Sequence, residues 1–385
     1  MVKEAFVLLL DENAFFPVFG TPLIKRNILI LKRLGIEKII ILGKAKLYER
    51  LSKISFKEHF IYHSLNSIEQ LSNIVSMASG NKVLVINAGH VLDPQTVKVL
   101  LESCLENSCK LVGEEDEFII LSKKDGLISA IKAIWKKEQI EAKEIRAKSG
   151  LPFIVKGKKD ISRAEQMLIK SLSIEKRETD SFLAKNFDRK ISLFFTKRLI
   201  HTPITPNQVT LMGMSIGLIG ALLLSFPNYW TQLIGAMLFL FCVIVDGIDG
   251  EIARLKLKDS AFGHYLDIIT DNIVHIGIFI GIGIGLYRKT GNHLYITLIW
   301  VLLFGFGLCA ISVYQCILKK EDKIKKSPFL IKALSLLTNR DFAYLVVVLA
   351  IFEKLNWFFI MTAIGSYIFS ATLWIADYLY TKRLS

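Results

Sequence analysis

The feature that most constrains this chain is a series of long apolar stretches in its C-terminal half. After Arg198 charged residues become sparse, and six segments are apolar enough to be membrane-spanning helices. They run over roughly 207–226, 231–252, 262–286, 293–318, 340–353 and 357–379. The fifth is short because Glu353 and Lys354 interrupt it, unless it begins earlier, inside 328–337. Since apolar residues make up 52% of the chain, we expect an all-α, six-span transmembrane domain over 205–385 and a multi-pass protein of the cell membrane.

Lysine and arginine are distributed unevenly between the loops that connect these segments. One side of the membrane would receive Arg254, Lys256, Lys258, Lys319, Lys320, Lys323, Lys325, Lys326, Lys382 and Arg383. The other side would receive only Arg288, Lys289 and Lys354. Positively charged loops stay in the cytosol, so the N-terminal half, both termini and an active site on the first side are predicted to be cytosolic. The N-terminus does not read as a signal peptide, since Asp11 and Glu12 break its one short apolar run.

The net charge of +14 would suit either nucleic acid or an anionic membrane surface. The basic residues cluster beside apolar segments and form neither an arm nor an aromatic-interleaved stripe. We therefore expect a lipid bilayer as partner and no nucleic acid. Residues 181–204 join the two halves. They mix apolar and basic side chains, which predicts an amphipathic helix in the membrane plane, with an ordinary surface helix as the alternative. The residues concerned are Phe187, Ile191, Phe194 and Phe195 with Lys185, Arg189, Lys190, Lys197 and Arg198.

The N-terminal half, residues 1–180, alternates short apolar runs with segments of helical periodicity. Strands are predicted at 5–10, 36–42, 60–64, 82–87, 118–122 and 153–156, and helices at 22–34 and 67–78. This alternation is typical of a three-layer α/β domain with a mainly parallel sheet. The five cysteines include no C-x-x-C pair and are expected to be reduced thiols. They are Cys104, Cys109, Cys242, Cys309 and Cys316.

Residues 16–42 (FPVFGTPLIKRNILILKRLGIEKIIIL) resemble the start of sugar-phosphate nucleotidyltransferases, including cytidylyltransferases, and the resemblance covers about the first 110 residues. That family has a Gly-rich loop for the nucleotide, whereas residues 10–16 (LDENAFF) contain no glycine and two carboxylates that would repel phosphate. The turn at 87–90 (NAGH) has no metal-binding aspartate. We therefore predict a nucleotidyltransferase-like fold that is inactive as a cytidylyltransferase; an active domain is the alternative.

The chemistry of the C-terminal half is concentrated in residues 246–271 (DGIDGEIARLKLKDSAFGHYLDIITD). Asp246 and Asp249 share a face of one helix. Asp267 and Asp271 share a face of the next, and a short basic turn lets the two pairs meet across a hairpin. Carboxylates inside apolar helices are costly unless cations neutralise them. Carboxylate oxygens select Mg²⁺, Mn²⁺ or Ca²⁺ over Zn²⁺, and four carboxylates make a two-metal site feasible.

The same segment has small residues and one arginine beside its carboxylates. Gly250, Ala253 and Gly263 allow close helix packing and leave room for a base or a phosphate. Arg254 supplies a fixed positive charge for a phosphate oxygen.

This segment resembles the signature of the CDP-alcohol phosphotransferase family, D-x2-D-G-x2-A-R-x8-G-x3-D-x3-D. Every defined position matches: Asp246, Asp249, Gly250, Ala253, Arg254, Gly263, Asp267 and Asp271. The resemblance extends to residues 205–210 (TPNQVT), a common opening of the first span in this family, and to the six-span layout. It covers about residues 190–385.

The resemblance implies transfer of a substituted phosphate group from a CDP-alcohol donor to an acceptor alcohol. The acceptor hydroxyl attacks the β-phosphorus, CMP leaves, and Asp271 acts as the general base. The implied metal ligands are Asp246, Asp249, Asp267 and Asp271, holding Mg²⁺ or Mn²⁺. The implied contacts to the CDP moiety are Asp246, Asp249, Gly250, Ala253, Arg254, Gly263 and Asn207. Family members are typically homodimers, so a homodimer is also expected.

A cytidylyltransferase-like domain ahead of such a membrane domain is similar to bifunctional enzymes that make CDP-inositol and use it to build di-myo-inositol phosphate-type solutes. Phospholipid or inositol-phosphate-type biosynthesis is therefore expected, with the donor alcohol and the acceptor open. A transporter or ion channel with the acids as a cation site is one alternative, although transporters typically place charges at the midplane, in repeats or broken helices. A membrane-anchored module that captures a nucleotide is another, opposed by the missing loop glycines.

Overall fold

The protein divides into two compact units, which we describe separately. The computed structural model describes residues 2–56, 58–65, 71, 75, 78–104, 108–138, 140–147, 149–176, 187–316 and 342–382. One unit comprises the chain up to Thr179 together with 255–257, and the other comprises 180–254 and 258–385.

The N-terminal unit is built on a seven-stranded sheet. Its strands, with two small two-stranded sheets, are β1 (Glu4–Leu9), β2 (Pro17–Val18), β3 (Thr21–Pro22), β4 (Lys38–Gly43), β5 (Ile61–Ser64), β6 (Lys82–Asn87), β7 (His90–Val91), β8 (Cys109–Val112), β9 (Phe118–Lys123), β10 (Lys143–Arg146) and β11 (Phe153–Ile154). The α-helices whose bounds lie within the described residues are α1 (Leu23–Arg33), α2 (Ala45–Ser52), α3 (Pro94–Ser103), α4 (Leu127–Lys136) and α5 (Lys158–Lys176). The large sheet has the order β10-β8-β9-β6-β1-β4-β5.

The central strand β1 shows why this unit has three layers. All six of its residues are buried, as expected of a strand with both sheet faces covered. Alternate side chains enter different cores, because successive residues of a strand point to opposite faces. Val7 packs in a cluster with Ile28 of α1, whereas Phe6 packs in a second cluster with Ile131 of α4. The predicted class, an α/β domain followed by a helical domain, is confirmed.

The large sheet is mainly parallel, as predicted, but it is mixed because one strand runs the other way. Strand β9 runs antiparallel to both of its neighbours, β6 and β8, while the remaining pairs are parallel. Strand direction depends on long-range pairing, which the local apolar pattern of 118–122 does not encode. Of the predicted elements, most of the helix at 67–78 lies outside the described residues.

One expectation about the cysteines is wrong. Cys104, just after α3, and Cys109, at the start of β8, form a disulfide with their Cα atoms 6.2 Å apart. Spacing rules for metal or redox pairs miss it, because the pair is brought together by the return of the chain into β8. Cys242, Cys309 and Cys316 are reduced, as predicted, and form no disulfide with the described residues.

The C-terminal unit is helical. Its described helices are α6 (Arg189–Leu199), α7 (Pro206–Leu224), α8 (Tyr229–Lys256), α9 (Ala261–Thr290), α10 (Leu294–Cys316), α11 (Phe342–Ile351) and α12 (Leu355–Lys382). Within the described ranges, five helices are long and apolar enough to cross a membrane: α7, α8, α9, α10 and α12. An integral membrane protein follows from these helices.

The predicted sixth span is not confirmed. The described part of the segment assigned to the fifth span contains α11, whose 10 residues are fewer than a bilayer crossing requires. The alternative start inside 328–337 lies outside the described residues.

Helices α7 and α9 approach each other so closely that glycine is required between them. A Cβ atom at Gly281 would lie 2.2 Å from the carbonyl oxygen of Ala221, and one at Gly285 would lie 2.2 Å from that of Leu224. Glycines spaced four residues apart on α9 therefore let the two backbones touch, the packing expected of membrane helices.

Helix α6 lies within the predicted amphipathic segment and has two unlike faces. Ser192 and Thr196 are buried, at 4% and 0% exposure. Ile191 and Phe194 are among its exposed apolar side chains, and the guanidinium of Arg198 lies 4.1 Å from the Phe194 ring centroid. The exposed apolar and basic side chains form one face, while the hydroxyls face inward; Arg189, predicted to lie on the amphipathic surface, is instead buried at 7% exposure.

Candidate active site

Three of the four motif aspartates converge. Asp246 lies in the second half of α8, and Asp267 and Asp271 lie one turn apart in the first half of α9. One carboxylate oxygen from each residue lies within 4.8 Å of the others. Ionised carboxylates at this spacing would repel one another strongly, and a divalent cation bound between them would relieve that repulsion. Among the described residues, these three carboxylates form the group that could hold a metal ion.

The fourth aspartate is held slightly apart by a neighbouring helix. Asp249 is buried at 6% exposure, and its Oδ2 atom accepts a hydrogen bond from the Thr210 hydroxyl on α7. Helix α7 begins at the expected place because Thr205 and Gln208 form a reciprocal capping box around Pro206. The local sequence that opens this span therefore sets the position of Thr210 one turn further along.

A cleft of about 220 Å³ lies beside the aspartates, between α7 and the α8–α9 turn. Its lining contains Pro206, Asn207, Thr210, Asp249, Gly250, Ala253, Arg254, Lys258, Asp259, Ser260, Gly263, His264 and Asp267. Gly263 keeps it open: a Cβ there would lie 3.1 Å from Asn207 Oδ1 and 3.2 Å from Ser260 Oγ. Six of the seven residues predicted to contact the CDP moiety line this cleft, and Asp246 lies in the adjoining carboxylate cluster.

Two polar groups in the site have buried atoms without a hydrogen-bond partner in the part of the chain that the structure describes. They are the Nε and Nη2 atoms of Arg254 and the Oδ1 atom of Asp267. A buried polar atom without a partner is costly, so each is suited to a ligand that restores the bond. An anion would satisfy the guanidinium, and a cation would satisfy the carboxylate. The donor set is all oxygen, which fits a hard divalent cation such as Mg²⁺ or Mn²⁺.

The sequence reasoning missed several polar residues here. Ser260 caps α9 by accepting a hydrogen bond from Gly263 N–H, at 3.0 Å, and so aims the start of that helix. Lys258, Asp259 and His264 add charged or titratable groups to the cleft. A serine just before an apolar run is a recognisable N-cap signal, so Ser260 could have been found from sequence.

The N-terminal unit has its own cleft, of about 340 Å³, at the carboxyl ends of β1 and β6. It is lined by Leu9, Leu10, Asp11, Asn13, Lys44, Asn87, Ile134, Trp135, Lys137, Ile154 and Lys156. The segment Glu12–Phe15 is a 3-10 turn, and the Asn87 side chain accepts a hydrogen bond from Gly89 N–H at 2.9 Å. Asp11 is the one carboxylate in this lining.

His90, in the turn after β6, is a structural residue. It is fully buried, and burial lowers its pKa despite the opposing contact with Glu117. Its Nδ1 atom accepts from the Asn87 N–H at 3.3 Å, which leaves Nε2–H to donate to Glu117 Oε2 at 3.4 Å. This neutral tautomer uses both ring nitrogens within the fold.

A family model covers most of the C-terminal unit. Residues 203–381 match the family model described as CDP-alcohol phosphatidyltransferase. A "Bifunctional IPC transferase and DIPP synthase" from Archaeoglobus fulgidus is 31% identical over 177 residues, which is 44% of this chain and 34% of that protein. An "Archaetidylinositol phosphate synthase" from Pyrococcus horikoshii is 33% identical over 89 residues, 23% of this chain and 46% of that protein. The matches thus span about a third to a half of these relatives.

Among solved structures, the Mycobacterium tuberculosis phosphatidylinositol phosphate synthase with CDP-DAG bound matches with a TM-score of 0.33 and 18% identity. The match covers 50% of this chain and 92% of that one. None of these findings supports the alternative of a transporter or cation-binding protein.

Proposed function

We propose that this protein, whose residues 203–381 form a CDP-alcohol phosphatidyltransferase domain, transfers a substituted phosphate group from a CDP-alcohol to an acceptor alcohol and releases CMP. The observation that carries the proposal is the meeting of three carboxylates beside a cleft that contains Arg254 and Gly263. Carboxylates for cations and an arginine for phosphate oxygens are what a pyrophosphate-containing substrate requires.

The cleft between α7 and the α8–α9 turn is the proposed site of the CDP moiety. Gly250, Ala253 and Gly263 present no long side chain, so a flat base or a phosphate has room there. A Cβ at Gly250 would lie 3.5 Å from Arg254 Nη2, so this glycine also keeps space beside the guanidinium. Arg254 would hold a phosphate oxygen, and Asn207 would orient the ligand from the start of α7.

Asp246, Asp267, Asp271 and Asp249 are the proposed holders of Mg²⁺ or Mn²⁺, in a site with room for two ions. When bound, divalent cations would neutralise the carboxylates and the negative charge that develops on the departing CMP. Thr210 fixes the rotamer of Asp249, so this carboxylate is oriented before substrate arrives.

Asp271 is the proposed general base. It takes the proton of the acceptor hydroxyl while the acceptor oxygen bonds to the β-phosphorus and the bond from that phosphorus to the CMP oxygen breaks. Asp271 also lines a void of about 10 Å³ with Thr210, Gly213 and Thr270, which has room for no more than one water molecule.

Substrate identity is proposed from the relatives' names. Because one relative is named an archaetidylinositol phosphate synthase, we propose an inositol-phosphate-type acceptor or head group as the first chemistry to test.

The remaining proposals concern topology, assembly and domain organisation. We propose that the active site and the N-terminal domain are cytosolic and that the protein is a homodimer in the membrane. We also propose that residues 181–204 are a linker between the domains and that the domain at 1–180 has no cytidylyltransferase activity. The basic loops support the orientation.

The deciding experiment measures CMP release by the purified full-length protein with a panel of CDP-alcohols and acceptors. We expect release that depends on both substrates and is abolished by chelation and restored by Mg²⁺ or Mn²⁺. Asp267→Asn should lose most of the activity, whereas Asp125→Asn, an exposed carboxylate of the N-terminal unit, should retain it. Full CMP release after complete chelation, or an active Asp267→Asn variant, would refute the proposed chemistry.

A further inference from the structure

A fifth acidic residue, Glu251, is buried in the motif helix but takes no part in the carboxylate cluster. It is 1% exposed, although a carboxylate is rarely buried so completely without partners. Its two oxygens have different partners on α6. Ser192 Oγ donates to Oε1 at 3.0 Å, and Thr196 Oγ1 donates to Oε2 at 2.7 Å. The glutamate is therefore clamped at both oxygens by one neighbouring helix.

Glu251 lies on the opposite side of α8 from the reacting groups. It is two positions beyond Asp249, which places it roughly 200° further around the helix. Asp249 is bonded to Thr210 of α7, whereas Glu251 is bonded to α6. Helix α8 is thus fixed from two sides at nearly the same level, by one hydroxyl on one side and two on the other.

Packing around the clamp supports a fixed register between α6 and α8. One turn before Glu251, a Cβ at Gly247 would lie 3.8 Å from Ser192 Cβ, an ordinary contact distance. Phe195 meets Phe241 edge to face, with ring centroids 6.1 Å apart. The N-terminal end of α6 is fixed as well, because Tyr344 of α11 donates a hydrogen bond to Asp188.

We propose that Glu251 is a positioning residue that sets the rotation of α8, and with it the placement of Asp246 and Asp249, by its bidentate contact with Ser192 and Thr196. The inference rests on the proposed function of the aspartate cluster. A carboxylate suits this role because both of its oxygens accept, so neither hydroxyl needs to reverse its hydrogen bond. Since the outer face of α6 carries exposed apolar and basic side chains, the clamp links the membrane-facing helix to the motif helix.

The test uses full-length protein in detergent and measures Mn²⁺ binding by the loss of the free-ion electron paramagnetic resonance signal, together with donor KM and kcat. Thr196→Val keeps the shape but removes one donor, and we expect Mn²⁺ affinity to fall about tenfold, the order expected for loss of a hydrogen bond to a charged group. Donor KM should rise by a similar factor, with a smaller change in kcat. Thr196→Ser restores the hydroxyl and should restore both values.

Thr362→Val is the matched control, because the Thr362 hydroxyl donates only to Phe358 O of its own helix among the described contacts. It should bind Mn²⁺ as the wild type does. A Thr196→Val protein with a lower melting temperature but wild-type Mn²⁺ affinity and KM would overturn the positioning role. If Thr196→Val does not fold, the same measurements are made on Ser192→Ala, which removes the other hydroxyl, and the same outcomes support or overturn the role. Wild-type protein that neither binds Mn²⁺ nor releases CMP would instead contradict the proposed function.

Discussion

Thr210 on α7 donates its hydroxyl hydrogen to Asp249 on α8, so that one motif carboxylate is oriented by a helix outside the motif. Hydrogen bonds to charged groups are worth ~1.5–3 kcal/mol. We expect Thr210→Val to weaken CDP-alcohol binding about tenfold or more, measured as donor Kd or KM. Thr210→Ser keeps the donor and should stay within about twofold of wild type. Equal behaviour of the two variants would show that the contact does not orient Asp249.

Variants of two aspartates, Asp271 and Asp249, can distinguish metal binding from base catalysis. Asp271→Asn should lower kcat by roughly 10²–10⁴, the usual cost of losing a general base, while donor affinity changes little. Asp249→Asn should weaken both metal and donor binding. Donor Kd, Mn²⁺ affinity and turnover are measured for both variants. If Asp271→Asn loses metal and donor as severely as Asp249→Asn, Asp271 is a metal ligand and has no separate base role.

The N-terminal unit should not make a CDP-alcohol. Its cleft has three lysines but a single carboxylate, Asp11, and His90 is occupied within the fold. We expect no pyrophosphate release from CTP with any polyol phosphate or sugar phosphate tested, inositol phosphate included. A measurable rate that disappears in Lys44→Met would contradict this prediction and assign the activity to this cleft.

The orientation of the membrane unit is tested by labelling single cysteines in intact cells. Replacing the free thiols at Cys242, Cys309 and Cys316 provides the background. A cysteine at Asn292 should react with an impermeant maleimide from outside, and one at Lys258 should react only after permeabilisation. Labelling of the Lys258 position from outside would put the cleft on the wrong side for cytosolic CDP substrates.

Glu117 gives the N-terminal unit an acid-sensitive contact. Burial alone would raise its pKa, but hydrogen bonds from His90 and Lys137 outweigh burial and lower the pKa to about 2. A carboxyl whose pKa is depressed by folding stabilises the protein above its unfolded pKa, near 4.3, and that stabilisation is lost as the pH falls towards 2. In Glu117→Gln the backbone amides of β9 should therefore exchange faster at pH 7. The stability of the unit that these amides report should also change less between about pH 5 and 2 than it does in the wild type.

The matched variant for this prediction is Glu138→Gln, which removes an exposed glutamate 3.6 Å from Lys136. After correction for the intrinsic effect of pH on exchange, the amide exchange rates of Glu138→Gln should equal those of the wild type. An unchanged profile in Glu117→Gln would mean that the Glu117 contacts contribute nothing to stability.

The sequence predicted what depends on local pattern. The bounds of α7, α9 and α12 followed from apolar length, and the four aspartates followed from helical spacing and a fixed signature. It did not predict the antiparallel direction of β9 or the Cys104–Cys109 disulfide, since both arise from pairing across the fold. Thr210 and Glu251 were missed as site residues for a related reason. Each becomes informative only when its partner on another helix is known.

The glycines of α9 have a consequence for how the protein responds to the surrounding lipid. Gly281 and Gly285 lie against carbonyl oxygens of α7. If one helix slid along the other, a residue that has a Cβ atom would take the place of a glycine and clash with the opposing backbone. The two helices must therefore rise, sink or tilt together when bilayer thickness changes, and other spans must absorb the mismatch. The motif carboxylates on α9 and the N-terminal end of α7 would then keep a constant offset along the membrane normal, so that the geometry of the proposed site is insulated from lipid composition.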